Sequence, residues 1–512
     1  MAYLMGIDIG TSATKTVIFD ETGSAVASAL SEYPLSQPHP GWAEQDPEDW
    51  WSAVCKTVRD CIAKSGLTAG DIGGIGLSGQ MHGLVMLDTD GKVLRPAILW
   101  CDQRTAQQCE DITRLVGRQR LIEITANPAM TGFTASKLLW VRENEPQVYE
   151  KCAKVLLPKD YIRYRLTGEF ATEVSDASGM QLLDVPKRQW SDEVLRKLGV
   201  DRSLLAHVTE SAEVSGQVSR SGAMQAGLSQ GTPVAGGAGD QAAGAVGAGI
   251  VQSGIASVTI GTSGVVFAHT DRITIDPAGR IHTLCHAVPG MWHVMGVTQA
   301  AGLSLKWFRD EFCAAEVQKA AQMGTDPYQL MDAEANRVEP GCGGLLYLPY
   351  LMGERSPHPD PDAKGVFFGL TARHSRSDML RAVMEGVAYS LKDCMEVITQ
   401  MGIPVEQIRA AGGGAKSVLW RQMIADMFGN PLVTVATSEG PALGAALLAG
   451  VGTGVFGSVA QACEAVIRCT EPLQPGRAAE KVYQDFYRVY ARLYPALREE
   501  YTVLSEILSE QS

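Results

Sequence analysis

One short motif occurs twice, and it constrains the whole chain. Ile7-Asp8-Ile9-Gly10-Thr11-Ser12 stands 251 residues ahead of Val258-Thr259-Ile260-Gly261-Thr262-Ser263. In each copy an apolar, strand-like run leads into a Gly-Thr-Ser turn, and a second strand-like run follows. A chain of 512 residues is too long for one ordinary core, since domains run to ~100–200 residues. Two copies at the heads of two domain-sized halves predict two domains of one design, 1–248 and 249–512.

Other elements can be read along the same lines. Leu4 to Ile9, Thr16 to Phe19 and Ala25 to Tyr33 read as strands, with turns at Gly10 to Lys15 and Glu21-Thr22-Gly23. Asp46-Pro47-Glu48-Asp49 opens a helix that carries Trp50 and Trp51. Ile72 to Leu77 is strand-like, and Val93 to Trp100 holds another apolar run. Val482, Phe486, Val489, Leu493 and Leu497 recur on one face of a helix expected over Ala478 to Leu508. Gly231 to Ser253, between the halves, is dense in Gly and Ala. It suits a flexible connector, or else a strand, a tight loop and a closely packed helix.

Charge and cysteine usage exclude some function classes. With 44 basic and 57 acidic residues the net charge is −13. Such a surface predicts no nucleic-acid partner and no anionic membrane, because both bind clustered Lys and Arg. It still admits ATP, since backbone N–H groups and a metal ion hold phosphate locally. The 11 cysteines are scattered, without a Cys-x-x-Cys pair, which predicts free thiols, a reducing compartment and no structural zinc. No basic and apolar leader precedes Met5-Gly6-Ile7, and the Gly/Ala-rich run from Pro441 to Val455 is too short to span a bilayer. A cytoplasmic location is expected. The oligomeric state is left open, a homodimer included.

Residues suited to chemistry gather in a few places. Asp8, then Gly10, Thr11 and Ser12 with Lys15 close behind, place an acid and a turn rich in N–H and hydroxyl groups at a strand end. The acid suits a magnesium ion and its waters, and the turn suits phosphate oxygens. The spacing is not that of a P-loop. Gly261, Thr262 and Ser263 form the matching turn, so that two such turns could grip a polyphosphate from both sides. Gly412, Gly413 and Lys416 lie in a glycine run after a strand, where bare backbone would let a flat adenosine approach. Asp240 sits in Gly236-Gly237-Ala238-Gly239-Asp240-Gln241, whose glycines would leave room for a ligand. Its carboxylate suits proton abstraction from a hydroxyl, and equally an N-cap of the helix that follows. Gln80, Met81 and His82, just past a strand, suit hydrogen bonds to sugar hydroxyls.

The chain resembles the FGGY carbohydrate kinases over nearly its whole length. Gly132 to Asn144 fits the first family signature, and Gly365 to Leu370 followed by Asp378 to Glu385 fits the second. Gly41 to Pro47, Gln80 to Gly83, Leu157-Pro158-Lys159-Asp160-Tyr161 and Gly353 to His358 look like the segments of members that act on D-xylulose. Glycerol-specific members carry Arg-Glu where this chain has Met81-His82.

The resemblance implies an α/β fold of two ribonuclease-H-like domains, of the actin and hexokinase ATPase type, flanking a nucleotide and sugar cleft. It implies transfer of the γ-phosphate of ATP to the 5-hydroxyl of D-xylulose, with Mg2+. Asp240 maps to the catalytic base and a second metal contact beside Asp8, and Gln80, Met81, His82 and Gln241 to the sugar site. Ala238 and Gln241 replace a Gly and an Asn of the family pattern.

Three rival readings are an FGGY kinase for another ketose, polyol or aldonate, an inactive sugar sensor, and an ATPase like actin or the heat-shock chaperones. The last would share the phosphate turns but has no use for a base beside a sugar pocket.

Overall fold

The computed structural model describes residues 2–436 and 439–510. The repeated motif opens two sheets of related topology. In the first, β1 (Tyr3–Ile9), β2 (Ala13–Phe19) and β3 (Ala25–Glu32) form an antiparallel meander. β4 (Ile72–Gly79) lies parallel to β1, and β5 (Val214–Gln217) and β6 (Pro233–Ala235) extend the order to β5-β6-β4-β1-β2-β3. A two-residue strand, β7 (Ala238–Gly239), pairs in parallel with the end of β4.

The second sheet contains β8 (Gly254–Ile260), β9 (Gly264–Thr270), β10 (His282–Cys285), β11 (Trp292–Thr298), β12 (Val405–Ala411) and β13 (Leu432–Thr434). Its order is β10-β11-β9-β8-β12-β13. Strands β1 and β8 correspond, each with an antiparallel hairpin partner on one side and a parallel strand on the other.

Helices cover these sheets. α1 (Pro47–Ser65) starts where expected: Asp46 accepts a hydrogen bond from the Glu48 N–H, and Trp50 and Trp51 are buried. It is followed by α2 (Thr134–Asn144), α3 (Pro158–Thr167), α4 (Asp240–Gly247), α5 (Gly302–Phe312), α6 (Arg376–Gln400), α7 (Val418–Phe428), α8 (Gly440–Gly452) and α9 (Arg477–Glu510). Among the described residues no helix is long and apolar enough to cross a membrane.

The structure decides one open reading and refines two others. The segment from Gly231 to Ser253 is no loose connector over most of its length, since it builds β6, β7 and α4. Its small residues serve packing against α8. A Cβ on Gly444 of α8 would lie 1.8 Å from the Ala243 carbonyl oxygen, and one on Gly76 of β4 would lie 1.8 Å from that of Ala445. Helix α8 therefore comes from the second half of the sequence but rests on the sheet of the first. In the run from Val93 to Trp100 only Ala97–Ile98 is a strand. On α9 the fully buried stripe is Tyr483, Tyr490, Leu493, Tyr494 and Tyr501, with the expected Val482, Phe486, Val489 and Leu497 half-buried beside it. Some of these tyrosines pack inward because their hydroxyls find partners, as Tyr494 does with Asp360 at 2.9 Å.

Candidate active site

Three parallel strands end side by side, and each end carries a polar group. Asp8 on β1 stands opposite Ser78 on β4, and Ser78 Oγ donates to Asp8 Oδ1 at 2.8 Å. On the other side of β4, Ala238 and Gly239 pair with Ser78 and Gly79, so Asp240 follows directly at the first residue of α4. The N-cap of α4 is Gly239, and no side chain makes a capping bond there. The side-chain partner of Asp240 is Gln241 Nε2, at 3.4 Å. Burial pushes the Asp240 carboxyl up to about 7, and the negative charge of Asp8 adds to this. Burial also raises Asp8, against the opposing effects of Ser78 and Lys15.

Two carboxylates that are both costly as anions favour a cation between them. Among the described residues no group of three or more His, Cys, Asp and Glu could hold a metal by itself. Two carboxylates completed by phosphate oxygens and water is the pattern that suits magnesium, so Asp8 and Asp240 fit that ion.

The two Gly-Thr-Ser turns are built differently. In the first, Gly10 N–H donates to Ala13 O at 3.0 Å, and Thr11 Oγ1 donates to Gln80 Oε1 at 3.2 Å. Trp100 Nε1 donates to Thr11 Oγ1 at 3.0 Å, and Ser12 is exposed. In the second, Gly261 and Thr262 are exposed while their carbonyls accept the Gly302 and Leu303 N–H groups at the head of α5.

Two expected ligand contacts are paired with other side chains of the protein. Gln80 is buried, and its amide bonds Thr11 and, at 3.0 Å, Gln45, so that it braces the first turn. Lys15 pairs with Glu439 at 2.5 Å, just before α8.

Met81 packs on β7, next to Asp240, and His82 follows it in the chain. A Cβ on Gly239 would sit 2.8 Å from Met81 Cγ, so this glycine admits Met81 rather than a ligand. Gly237 likewise serves backbone contact: its φ is +68° and a Cβ would lie 2.0 Å from Leu77 O. His82 itself holds a φ of +67°. Its Nδ1–H donates to Gly179 O at 2.9 Å, which leaves Nε2 as an acceptor. Its ring stacks on Phe133 at 4.5 Å, and its carbonyl accepts from Thr134 Oγ1 and Lys137 Nζ, both at 3.0 Å. Burial lowers His82 to about 3 and Lys137 to about 7, and the Arg355 cation contributes to both shifts. Sequence reasoning missed Ser78, Lys137, Phe133 and Arg355; the last three fall in segments it had marked without assigning a role.

The third glycine run opens onto a cavity of about 670 Å³. Asp240 and Gln241 lie at its lining together with Gly412, Lys416, Arg421 and Thr434. Thr259, which occupies on β8 the place that Asp8 occupies on β1, lines it too. Gly412 has φ +81° and would press a Cβ onto Ile260 O at 2.5 Å, whereas Gly413 faces nothing within 4 Å. The volume suits a small ligand with a few directed polar groups. Residues 10–12 and 261–263 do not line it. Two smaller clefts, of 440 and 510 Å³, lie away from the carboxylates.

Comparison with known proteins gives this geometry its family. Residues 3–247 match the N-terminal domain of the FGGY family of carbohydrate kinases, and residues 256–453 match its C-terminal domain. The chain belongs to the FGGY family of carbohydrate kinases.

Its relatives include the xylulose kinase of Bacillus subtilis, 39% identical with 98% of this chain and 99% of that protein covered. The xylulose kinase of Escherichia coli is 43% identical over 87% of this chain and 89% of its own. A gluconokinase of B. subtilis is 33% identical over 99% and 98%. The crystal structure of xylulose kinase from Rhodospirillum rubrum superposes with a TM-score of 0.90 at 30% identity, covering 98% of this chain and all of that one. The two-domain α/β kinase fold expected from the sequence is thereby established.

In this FGGY kinase the two family signatures do different things. The first supplies Phe133, Thr134 and Lys137 to the His82 turn. The second is structural: Arg381 pairs with Glu385 at 2.7 Å and also bonds Tyr483 of α9, while Glu385 accepts the Gly341 N–H.

Proposed function

We propose that this FGGY kinase transfers the γ-phosphate of ATP to the 5-hydroxyl of D-xylulose, giving D-xylulose 5-phosphate and ADP. The observation that carries the reading is the place of Asp240. It follows β7 at the first residue of α4, across β4 from Asp8, is not the N-cap of that helix, and borders the cavity that Lys416 also lines. Burial and the charge of Asp8 raise its carboxyl, which favours uptake of a proton from a hydroxyl. In the transfer the O5–phosphorus bond forms, the bond from phosphorus to the β-phosphate oxygen breaks, and its electron pair leaves with ADP. The O5 proton passes to Asp240.

Met81 and the His82 imidazole orient the sugar, with Gln241 beside them. Gly412, Gly413 and Lys416 receive the nucleotide. The turns at Gly10, Thr11 and Ser12 and at Gly261, Thr262 and Ser263 are assigned to the phosphates on the strength of the repeated motif, although neither lines that cavity. Asp8 and Asp240 would hold magnesium, which when bound spreads and offsets the charge of the transferred group. Residues 1–248 form the sugar-binding domain and 249–512 the nucleotide-binding one.

The substrate rests on the xylulose kinases among the relatives and on Met81-His82. The similarity to a gluconokinase keeps an aldonate as the second reading. A coupled ADP assay across D-xylulose, D-ribulose, L-ribulose, L-xylulose, glycerol and gluconate decides between them. D-Xylulose is expected to give the highest kcat/KM; a preference for gluconate would establish the second reading.

A further inference from the structure

Beneath the Asp240 loop lies a group of charges that the transfer chemistry does not use. Lys159 Nζ lies 2.8 Å from Asp160, 3.1 Å from Asp176 and 3.4 Å from Glu173, and Arg163 lies 2.7 Å from Asp160. All five side chains are fully buried. Removing so many charges from water is costly, and such a group persists only when its members pair closely. Lys159 and Asp160 belong to the segment from Leu157 to Tyr161, which the sequence marked and to which the proposed mechanism gives no part.

The group touches the catalytic loop at two points. Arg163 Nη2 donates to the Gly236 carbonyl. At the other end of the loop, the Gly239 N–H donates to Ser175 Oγ at 3.2 Å, and Ser175 Oγ–H donates to Glu173 Oε1 at 2.9 Å. Glu173 is itself pinned by the N–H groups of Ser175 and Asp176, by Ser211 Oγ at 2.6 Å, and by Lys159. Gly239 immediately precedes Asp240.

We infer that Ser175 is a positioning residue for phosphoryl transfer: by accepting the Gly239 N–H while tied to the Glu173–Lys159 charge cluster, it sets the direction in which the Asp240 carboxylate leaves β7. The inference rests on the proposed role of Asp240. Elsewhere the loop is held by the Gly236 N–H on the Glu213 carbonyl at 2.7 Å, by the pairing of β7 with β4, and by the close packing of Gly237 on Leu77 and Gly239 on Met81. Among the described residues, the bond to Ser175 is the one side-chain hydrogen bond of the Gly239 N–H. Without the hydroxyl the Gly239 N–H is left unpaired and the carboxylate can turn away from the sugar hydroxyl. A displacement of about 1 Å at a reacting group costs on the order of 100-fold in rate.

The structure supplies its own control. Ser211 also donates a buried hydrogen bond to Glu173 but makes none to the Asp240 loop. Ser175→Ala and Ser211→Ala each remove one bond from Glu173, so a purely structural network predicts equal effects. The expectation is that Ser175→Ala lowers kcat by ~10–100-fold while the KM values for ATP and D-xylulose stay within about 3-fold. Ser211→Ala should keep kcat within about 3-fold, and Ser175→Thr, which restores the hydroxyl, should recover most of the loss. If Ser175→Ala does not fold, Ser175→Cys, close in size with a weak acceptor, carries the same expectation. Equal losses in Ser175→Ala and Ser211→Ala overturn the inference. So does full activity of Ser175→Ala when Asp240→Asn is inactive. Retained turnover in Asp240→Asn would remove the base itself, and the inference with it.

Discussion

The two halves of the chain repeat one topology and put opposite chemistry at equivalent strand ends. On β1 the penultimate residue is Asp8, a carboxylate beside a second carboxylate, Asp240. On β8 the same place holds Thr259, and the cavity that it lines also takes in Lys416 and Arg421. The difference teaches that the scaffold places a strand end and a turn, and the residue placed there decides the task. One end gathers negative charge suited to a metal and a proton; the other gathers cations and bare backbone suited to a nucleotide.

That contrast can be broken residue by residue. Asp8→Asn is expected to lower kcat with D-xylulose by on the order of 100-fold or more, because a carboxylate proposed to hold magnesium is lost. Thr259→Ala, the equivalent change in the other half, should alter kcat less than about 3-fold. Similar losses in a side-by-side coupled assay would erase the distinction between the halves. Lys416→Ala should raise KM for ATP by roughly 10-fold, the worth of one charge-assisted hydrogen bond, and leave KM for the sugar unchanged. A rise in the sugar KM instead would place Lys416 outside the nucleotide site.

A smaller effect sharpens the sugar side. His82→Ala should lower kcat/KM for D-xylulose by about 10-fold through the loss of one neutral hydrogen bond, with ATP binding by calorimetry unaffected. The pH dependence follows from burial. A histidine in water titrates near 6.5, but His82 is lowered to about 3 and stays neutral in the folded enzyme above that value. His82 should therefore contribute no break to the sugar KM between about pH 7 and 5.5, so that a break there belongs to Asp240 or Lys137, both shifted to about 7. In the unfolded chain the same imidazole takes up a proton below about 6.5, so the stability it contributes is present above that pH and is lost as pH falls towards 3. A break in KM near 6.5 that disappears in His82→Ala would contradict the buried, neutral ring.

Much of this was legible in the residues alone, for local reasons. β-Branched runs before Gly-Thr-Ser turns show strands and hairpins directly, and Asp46-Pro47 shows a helix start. Asp240 stood out because an acid at the end of an apolar, glycine-rich run has few reasons to be there. What could not be read depends on partners distant in the chain. Gln80 braces Thr11, Lys15 is held by Glu439, and Lys137 holds the His82 carbonyl. The glycines of the Asp240 loop looked like space for a ligand, yet Gly237 and Gly239 make way for Leu77 and Met81. Only a folded backbone distinguishes those two uses of a missing side chain.

The central claim is that Asp240 accepts the proton of the sugar hydroxyl, and Asp240→Asn tests it most directly. Asn keeps the size and the hydrogen bonding of the side chain but cannot take up the proton. The expected protein is folded, binds ATP and D-xylulose by calorimetry, and turns over at least ~100-fold more slowly in the coupled ADP assay. Turnover above about a tenth of normal would show that Asp240 is not the base and would make Asp8, its neighbour across β4, the first group to test in its place.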